Sequence, residues 1–292
     1  MISTVIVTYN SMKVLTNCLS SLERCTSASQ LEVILVDNAS TDGTEAYLTA
    51  YQSRASELPY LAVRVLTLTN NRGYAYANNR GLQIARGDVL LLLNPDTIVG
   101  EETIQKCANI LDQDTTVGAV GCRLQLANGS LDRACKRSFP TIWNSAARFT
   151  GLSLLFPSSR WLARYNLTFL DEYGSYFVDS LCGAFMMVPR SVYTGAGGLD
   201  EAFFMYGEDI DWCYRIKQHG YRVWYEGSVT TIHLKGGNGG KRSRQSLYYF
   251  YDTMHVYYVG TLRHSRRSLR ARILRLALSF MFTIHATVRG IR

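Results

Sequence analysis

With 292 residues, 47% of them apolar and 18% charged, the chain can build one large α/β domain with an extension or two small domains, and its composition excludes a disordered chain. The formal net charge of +8 is unevenly placed: from Thr253 onward there are eight arginines and no acidic side chain, which leaves 23 basic against 23 acidic residues before that point. A neutral body with a cationic tail points to an anionic surface as partner.

The opening MISTVIVTYN is strand-like and lacks the basic segment and cleavage site of a signal peptide. In chain order, a buried strand at Ser3–Thr8 is followed by a helix at Ser11–Arg24, with Val14, Leu15, Cys18, Leu19 and Leu22 on one face. A strand at Leu31–Val36 leads through the polar turn Asp37–Gly43 into a helix ending near Tyr51. Val63–Leu68 and Asp88–Leu93 read as strands, Tyr74–Ala85 and Glu101–Leu111 as helices, the last with two carboxylates in its first turn. This alternation predicts a parallel sheet whose ligands bind beyond the carboxyl ends of the strands, where Tyr9-Asn10, Asp37-Asn38 and Asn94-Pro95-Asp96 fall.

The second half is less regular. Residues 123–178 are rich in arginine and aromatics and can form an acceptor-facing insertion. A strand at Cys182–Val188 precedes Gly198-Leu199-Asp200, and a helix opens at Gly207-Glu208-Asp209-Ile210-Asp211-Trp212 and runs to about His219. Two final strands, Tyr221–Glu226 and Val229–His233, lead to the mobile-looking loop Gly236–Gly240. The seven cysteines are odd in number, lack CxxC spacing and mostly sit in apolar runs, the pattern of buried thiols in a reducing compartment.

Three carboxylate-bearing segments carry the chemistry. Asp37 can accept hydrogen bonds from a base or ribose, or can cap the following helix. Asp96, at the end of an apolar strand, is a mount for Mg²⁺ or Mn²⁺, or part of a plain Asn-Pro-Asp turn. Glu208, Asp209 and Asp211 at a helix start are favoured in the ionised form by the helix dipole, so one can act as general base; an acidic cap is the structural alternative. His233 is a ligand for metal or phosphate, or a structural histidine.

Val7-Thr8-Tyr9-Asn10, Val36-Asp37-Asn38-Ala39-Ser40-Thr41-Asp42-Gly43, Asn71-Arg72-Gly73 with Tyr74–Gly81, Leu93-Asn94-Pro95-Asp96, Gly198-Leu199-Asp200, Gly207–Asp211 and His233 follow one another in an order that resembles family 2 glycosyltransferases of the GT-A fold. The wording Asn-Pro-Asp and Phe-Phe-Met-Tyr-Gly-Glu-Asp is similar to bacterial rhamnosyltransferases that build O-antigen or cell-wall linkers. The resemblance implies a Rossmann-like, mostly parallel α/β sheet flanked by helices over residues 1–240, divided into a nucleotide-sugar half (1–122) and an acceptor half (123–240), with a basic helical extension at 241–292. It implies that Thr8, Tyr9, Asn10, Asp37 and Asn38 cradle the nucleotide, and that Arg72, Gly73, Asn79 and Asn94 line the nucleotide-sugar site. Asp96 would hold Mg²⁺ or Mn²⁺ with His233, Asp209 would be the base, and Glu208, Asp211 and Trp212 would support the acceptor side. The family's metal motif is commonly Asp-x-Asp; Asn94 in its first position removes one charge. The implied reaction is inverting transfer of a sugar from a dTDP- or UDP-sugar, rhamnose by wording alone, to a lipid-linked saccharide.

In the tail, Ile273–Val288 gathers apolar clusters behind Arg270, Arg272 and Arg275, and Tyr248–Tyr251 with Tyr257 and Tyr258 form an aromatic band. This is the composition of a helix lying on an anionic membrane, and it predicts a peripheral protein on the cytoplasmic face. The competing reading is a helix packed on the body or on a second subunit of a homo-oligomer. No run of eighteen uninterrupted apolar residues occurs, so no spanning helix is expected, and no nucleic-acid-binding motif accompanies the charge. A sugar nucleotidyltransferase would carry a glycine-rich basic loop where Thr8-Tyr9-Asn10-Ser11 stands; a silent carbohydrate-binding or scaffold protein would not need both Asp96 and Asp209.

Overall fold

The computed structural model describes residues 1–25, 31–56, 61–235 and 243–288, so the Gly236–Gly240 loop lies outside the described residues. The first half is β1 (Ile2–Thr8), α1 (Met12–Cys25), β2 (Leu31–Asp37), α2 (Thr44–Ala55), β3 (Leu61–Thr67), α3 (Tyr74–Ile84), β4 (Val89–Leu93), β5 (Thr97–Val99), α4 (Thr103–Gln113) and β6 (Val117–Leu126). Then follow β7 (Lys136–Arg137), α5 (Ile142–Phe149), α6 (Leu152–Leu155), β8 (Tyr176–Val178), β9 (Ser180–Leu181), β10 (Phe185–Pro189), α7 (Arg190–Ala196), α8 (Glu208–Gln218) and β11 (Arg222–His233). The extension is α9 (Arg244–Val256), a π-helical turn Tyr257–Thr261, and α10 (Leu269–Val288).

The main sheet runs β3-β2-β1-β4-β10-β6-β11-β5, with β8 alongside β11. Its β3-β2-β1-β4 half is parallel, as the strand–helix alternation requires. Every residue of β1 and β2 is buried, because helices cover both faces of that half. α1 turns Leu15, Cys18, Leu19 and Leu22 inward at helical spacing. Then the direction changes: β10 pairs antiparallel with both β4 and β6, while β6 and β11 are parallel. The fold is thus a mixed, mostly parallel α/β sheet flanked by helices.

Three elements differ from the sequence reading. Glu101 and Glu102 precede α4, because the Thr103 N–H bonds Gly100 O at 2.9 Å and delays the helix start, so neither carboxylate lies in its first turn. The two final strands are one, β11, whose register against β6 shifts between Glu226 and Thr230. Such a bulge keeps one strand in the sheet while re-aiming its end. The strand expected at Cys182–Val188 starts only at Phe185, as β10; Cys182–Ala184 lie outside any strand, between it and the short β9.

The extension packs on the body. Leu247, Tyr251, Leu278 and Ala286 form a small core between α9 and α10 that Phe149 of α5 joins, and Tyr257 packs with Phe203 and Ile210. α10 is long and apolar enough to cross a membrane by length and composition alone. A count of uninterrupted apolar residues misses it because Arg272, Arg275, Ser279, Thr283 and His285 break the run.

Helix α3 crosses β1 at Gly81, where a Cβ would run into Val5 Cγ1 and press on Val36 Cγ2. Both valines are fully buried and stiff at χ1. Gly81→Ala should lower stability by up to about 2 kcal/mol in urea denaturation: overpacking costs ~1–3 kcal/mol, and the better helix propensity of alanine offsets about 1.

Candidate active site

Side chains tie the loops after β1, β2 and β3 together. Asp37, fully buried, accepts from Thr8 Oγ1 at 2.9 Å and from Ser40 through its N–H at 2.9 Å and its hydroxyl at 2.6 Å. Asn10 spans the same gap: its N–H donates to Ser40 Oγ at 2.9 Å, and its Oδ1 accepts the Thr41 N–H at 2.8 Å. Asn38 reaches the third loop, accepting the Arg72 N–H at 3.3 Å and donating to Asn71 Oδ1 at 2.9 Å. Tyr9, 50% exposed, is the member of this set that offers its ring to solvent.

The Arg72 guanidinium lies over the Tyr76 ring, 3.9 Å from its centroid. Gly73 has φ of 94°, and its Cα faces the Phe204 backbone too closely for any side chain. Asn79 does not join this rim. Its amide donates to Leu199 O at 2.8 Å and accepts from Leu199 N at 2.9 Å, binding α3 to the Gly198–Asp200 loop.

Beyond β4 a second cluster forms. β5 pairs antiparallel with β11, making Thr97 and His233 register partners. This brings His233 Nε2 to 3.4 Å from Asp96 Oδ1, while Nδ1 stands 2.9 Å from Asp132 Oδ2. Lys235 Nζ donates to the other Asp132 oxygen at 2.9 Å. Burial works against a charged imidazole, but the bonds to Asp132 and Asp96 outweigh it and raise the His233 pKa to about 9. The Asn94 side-chain oxygen is buried with no hydrogen-bond partner among the described residues. An imidazole oriented by the Asp132 carboxylate on one nitrogen and set beside the Asp96 carboxylate on the other is a donor set that a divalent cation can use. Among the described residues no three His, Cys, Asp or Glu side chains make a ready metal cage.

At the start of α8 each carboxylate meets a different fate. Asp209 Oδ2 accepts from Arg137 at 2.7 Å and from the Gly183 N–H at 3.1 Å, and its Oδ1 accepts the Ile210 N–H at 2.8 Å. Burial penalises the Arg137 charge, but Asp209 more than compensates and holds the guanidinium protonated. Asp211 is committed to Arg215 Nε at 2.8 Å and Thr261 Oγ1 at 2.6 Å. Trp212 is fully buried and donates to Gly197 O at 2.8 Å, so it anchors the helix. Glu208 is buried with Oε2 unpartnered, and burial, then the charge of Asp209, pushes its pKa up to about 8.

The Cys182–Ala184 break joins these groups. Gly183 donates its N–H to Asp209 and accepts the Tyr74 hydroxyl at 3.0 Å, and Ala184 O accepts the Asn94 N–H at 3.1 Å. The Asn94–Asp96 turn, the start of α3 and Asp209 thus hang on two consecutive residues, Gly183 and Ala184. Asp132, Arg137 and Gly183 were not singled out by the sequence; nothing in their local patterns marks them.

The sequence matches the family model for Glycosyl transferase family 2 over residues 3–192. It is 28% identical over 272 residues to the N-acetylglucosaminyl-diphospho-decaprenol L-rhamnosyltransferase of Mycobacterium tuberculosis, covering 89% of this chain and 84% of that protein. It is 27% identical over 167 residues to a rhamnosyltransferase of Escherichia coli K12, covering 56% of this chain and 58% of that protein. A mannosyltransferase from Pyrobaculum calidifontis, solved with GDP-Man and Mn²⁺, superimposes with a TM-score of 0.62 at 20% identity over 98% of this chain and 73% of its own, a likeness of fold.

Glu208 keeps its proton in the folded protein up to about pH 8, against an ordinary value of 4.5. The native state therefore binds more protons between those values, and stability falls as pH rises across that window. Glu208→Gln should remove this loss, gaining about 2 kcal/mol or more over the wild type between the two values and nothing further above them, in urea denaturation across a pH series.

Proposed function

Because the chain belongs to glycosyl transferase family 2, we propose that it moves a sugar, L-rhamnose by likeness to its relatives, from a dTDP- or UDP-linked donor to a lipid-linked saccharide, with inversion at the anomeric carbon. The observation that carries this reading is the Cys182–Ala184 link, which places a buried carboxylate, Asp209, within one backbone residue of the Asn94–Asp96 turn. The loops of Thr8, Tyr9, Asn10, Asp37, Asn38, Arg72 and Gly73 receive the nucleotide, with Tyr9 against the base.

Arg137 and the Gly183 N–H fix one oxygen of Asp209, so the carboxylate is held in one orientation as general base. It takes the proton of the acceptor hydroxyl as that oxygen bonds to the anomeric carbon. On the opposite face the bond from carbon to the diphosphate oxygen breaks, and its electron pair leaves with the diphosphate. One base and no protein nucleophile make this a single displacement. Asp96 and His233 would hold Mg²⁺ or Mn²⁺, which supplies charge compensation for the departing diphosphate when bound. The mannosyltransferase relative in fold carries Mn²⁺. The lipid-linked acceptor places the enzyme at the cytoplasmic face of the membrane, with 1–240 as the transferase unit and 241–292 as its extension.

Asp209→Asn should lower turnover by roughly 10²–10⁴-fold while donor affinity stays within about threefold, measured as nucleoside diphosphate released from dTDP-rhamnose. Donor affinity falling in step with turnover would reassign the residue, and release of pyrophosphate would make the chain a nucleotidyltransferase. Chelation by EDTA should abolish the release, and added Mn²⁺ or Mg²⁺ should restore it; full activity in chelator would refute the metal.

A further inference from the structure

The extension carries a surface that the transfer step does not use. Arg266, Arg272 and Arg275 line a cleft of about 400 Å³ between the end of α9 and the start of α10, together with His255 and Asp252. None of these arginine side chains has an ion pair or hydrogen bond among the described residues. The half-buried His255 registers their field: burial, then the charges of Arg275 and Arg266, hold its pKa below the ordinary value. Asp252 is the last acidic residue in the chain, so three guanidinium groups face a single carboxylate. Uncompensated cations around a cleft of this size are a seat for a phosphoryl group.

The same helix has an apolar outer face. Leu269, Ile273, Leu276, Phe280, Ile284 and Val288 recur at helical spacing and all are exposed, Leu276 by 72% and Phe280 by 68%. The opposite face, with Leu278, Phe282 and Ala286, packs on α9. Arg270 and Arg272 flank the exposed stripe, where their heads can stay in water while their stems lie along apolar surface. The Phe149–Tyr251 stack joins this region to α5, beyond which Leu154, Leu155, Phe156 and Trp161 are exposed as well.

We infer that α10 docks the protein on a bilayer containing anionic phospholipid, its outer face lying in the acyl boundary and the Arg266–Arg272–Arg275 cleft taking a lipid phosphate. The inference rests on the proposed lipid-linked acceptor and adds the face that meets the lipid. Charge complementarity selects the occupant: a tail with eight arginines and no acid gains most from an anionic surface. The helix lies on the bilayer and does not cross it, because it is bound to α9 along its length, through the Phe282 contacts with Tyr248 and Tyr251 and the Tyr251–His285 hydrogen bond.

The test is flotation of the purified full chain with vesicles of phosphatidylcholine alone or mixed with phosphatidylglycerol. The chain should float with the mixed vesicles and be released by alkaline carbonate. Combining Arg266→Gln, Arg272→Gln and Arg275→Gln should lower partitioning on the order of 100-fold, and Leu276→Gln with Phe280→Gln should lower it at least about tenfold. Nucleoside diphosphate release with a water-soluble acceptor should be unchanged in both variants. Absence of flotation, unimpaired flotation of the arginine variant, or resistance to carbonate would each overturn the inference. So would a melting-temperature rise with inorganic phosphate, lost in the arginine variant, in a chain that ignores vesicles. Flotation as expected without diphosphate release from any donor would refute the transferase reading and leave the docking surface standing.

Discussion

The site depends on a strand that stops being a strand. Buried backbone N–H and C=O groups must find partners, and in β10 they find them in β4 and β6. Over Cys182–Ala184 the partners are instead the Asp209 carboxylate, the Tyr74 hydroxyl and the Asn94 N–H. Three segments far apart in sequence are registered against one another by main-chain groups, which are insensitive to which side chains occupy the link. The antiparallel entry of β10 beside β4 is what delivers this link to the carboxyl end of the parallel half, where a doubly wound sheet binds its ligands.

Around that link the protein handles three carboxylates within four residues, all buried. A helix N-terminus eases the charge of such a group but cannot neutralise three in a low-dielectric setting. The solution is division: Asp211 is neutralised by Arg215, Asp209 by Arg137, and Glu208 keeps its proton. Of the three, Asp209 is the one that accepts the Gly183 N–H. The same environment that raises one acid leaves the other paired with Arg137, the arrangement on which the proposed base role of Asp209 rests.

What the sequence shows and what it hides follow from range. β1, β2, β4 and α1 are legible because their burial is periodic or continuous within a few residues. Asp37, Asp96 and Asp209 stand at strand or helix ends and can be named from position. Arg137 and Asp132 cannot, since their meaning lies in partners 72 and 101 residues away. Cys182–Val188 reads as an uninterrupted strand because its apolar composition is correct for one; only Asp209 and Tyr74, competing for the Gly183 backbone, reveal the break. Asn79 shows the same limit from the other side, since a polar residue in a site-like motif has its hydrogen bonds to the Leu199 backbone and the Glu201 carboxylate.

The extension is not an appendage that can be cut away without consequence. Thr261 occupies one oxygen of Asp211, the Thr253 hydroxyl donates to Tyr206 O, Tyr206 and Ser246 share a hydrogen bond of 2.8 Å, and Phe204 stacks on Tyr249 with centroids 4.3 Å apart. These contacts fix the Phe203–Gly207 segment that leads into α8, and Phe204 in turn accepts the Tyr74 N–H at the start of α3. Deleting the tail would expose Phe203 and Ile210 and leave a buried carboxylate oxygen of Asp211 without its donor, a loss of ~1–3 kcal/mol from that group alone. Lost activity in a truncated chain would therefore say nothing about lipid. The outer face of α10 makes none of these contacts, and that separation between the face that grips the body and the face that meets solvent is what allows the proposed docking and the proposed catalysis to be tested apart in one folded protein.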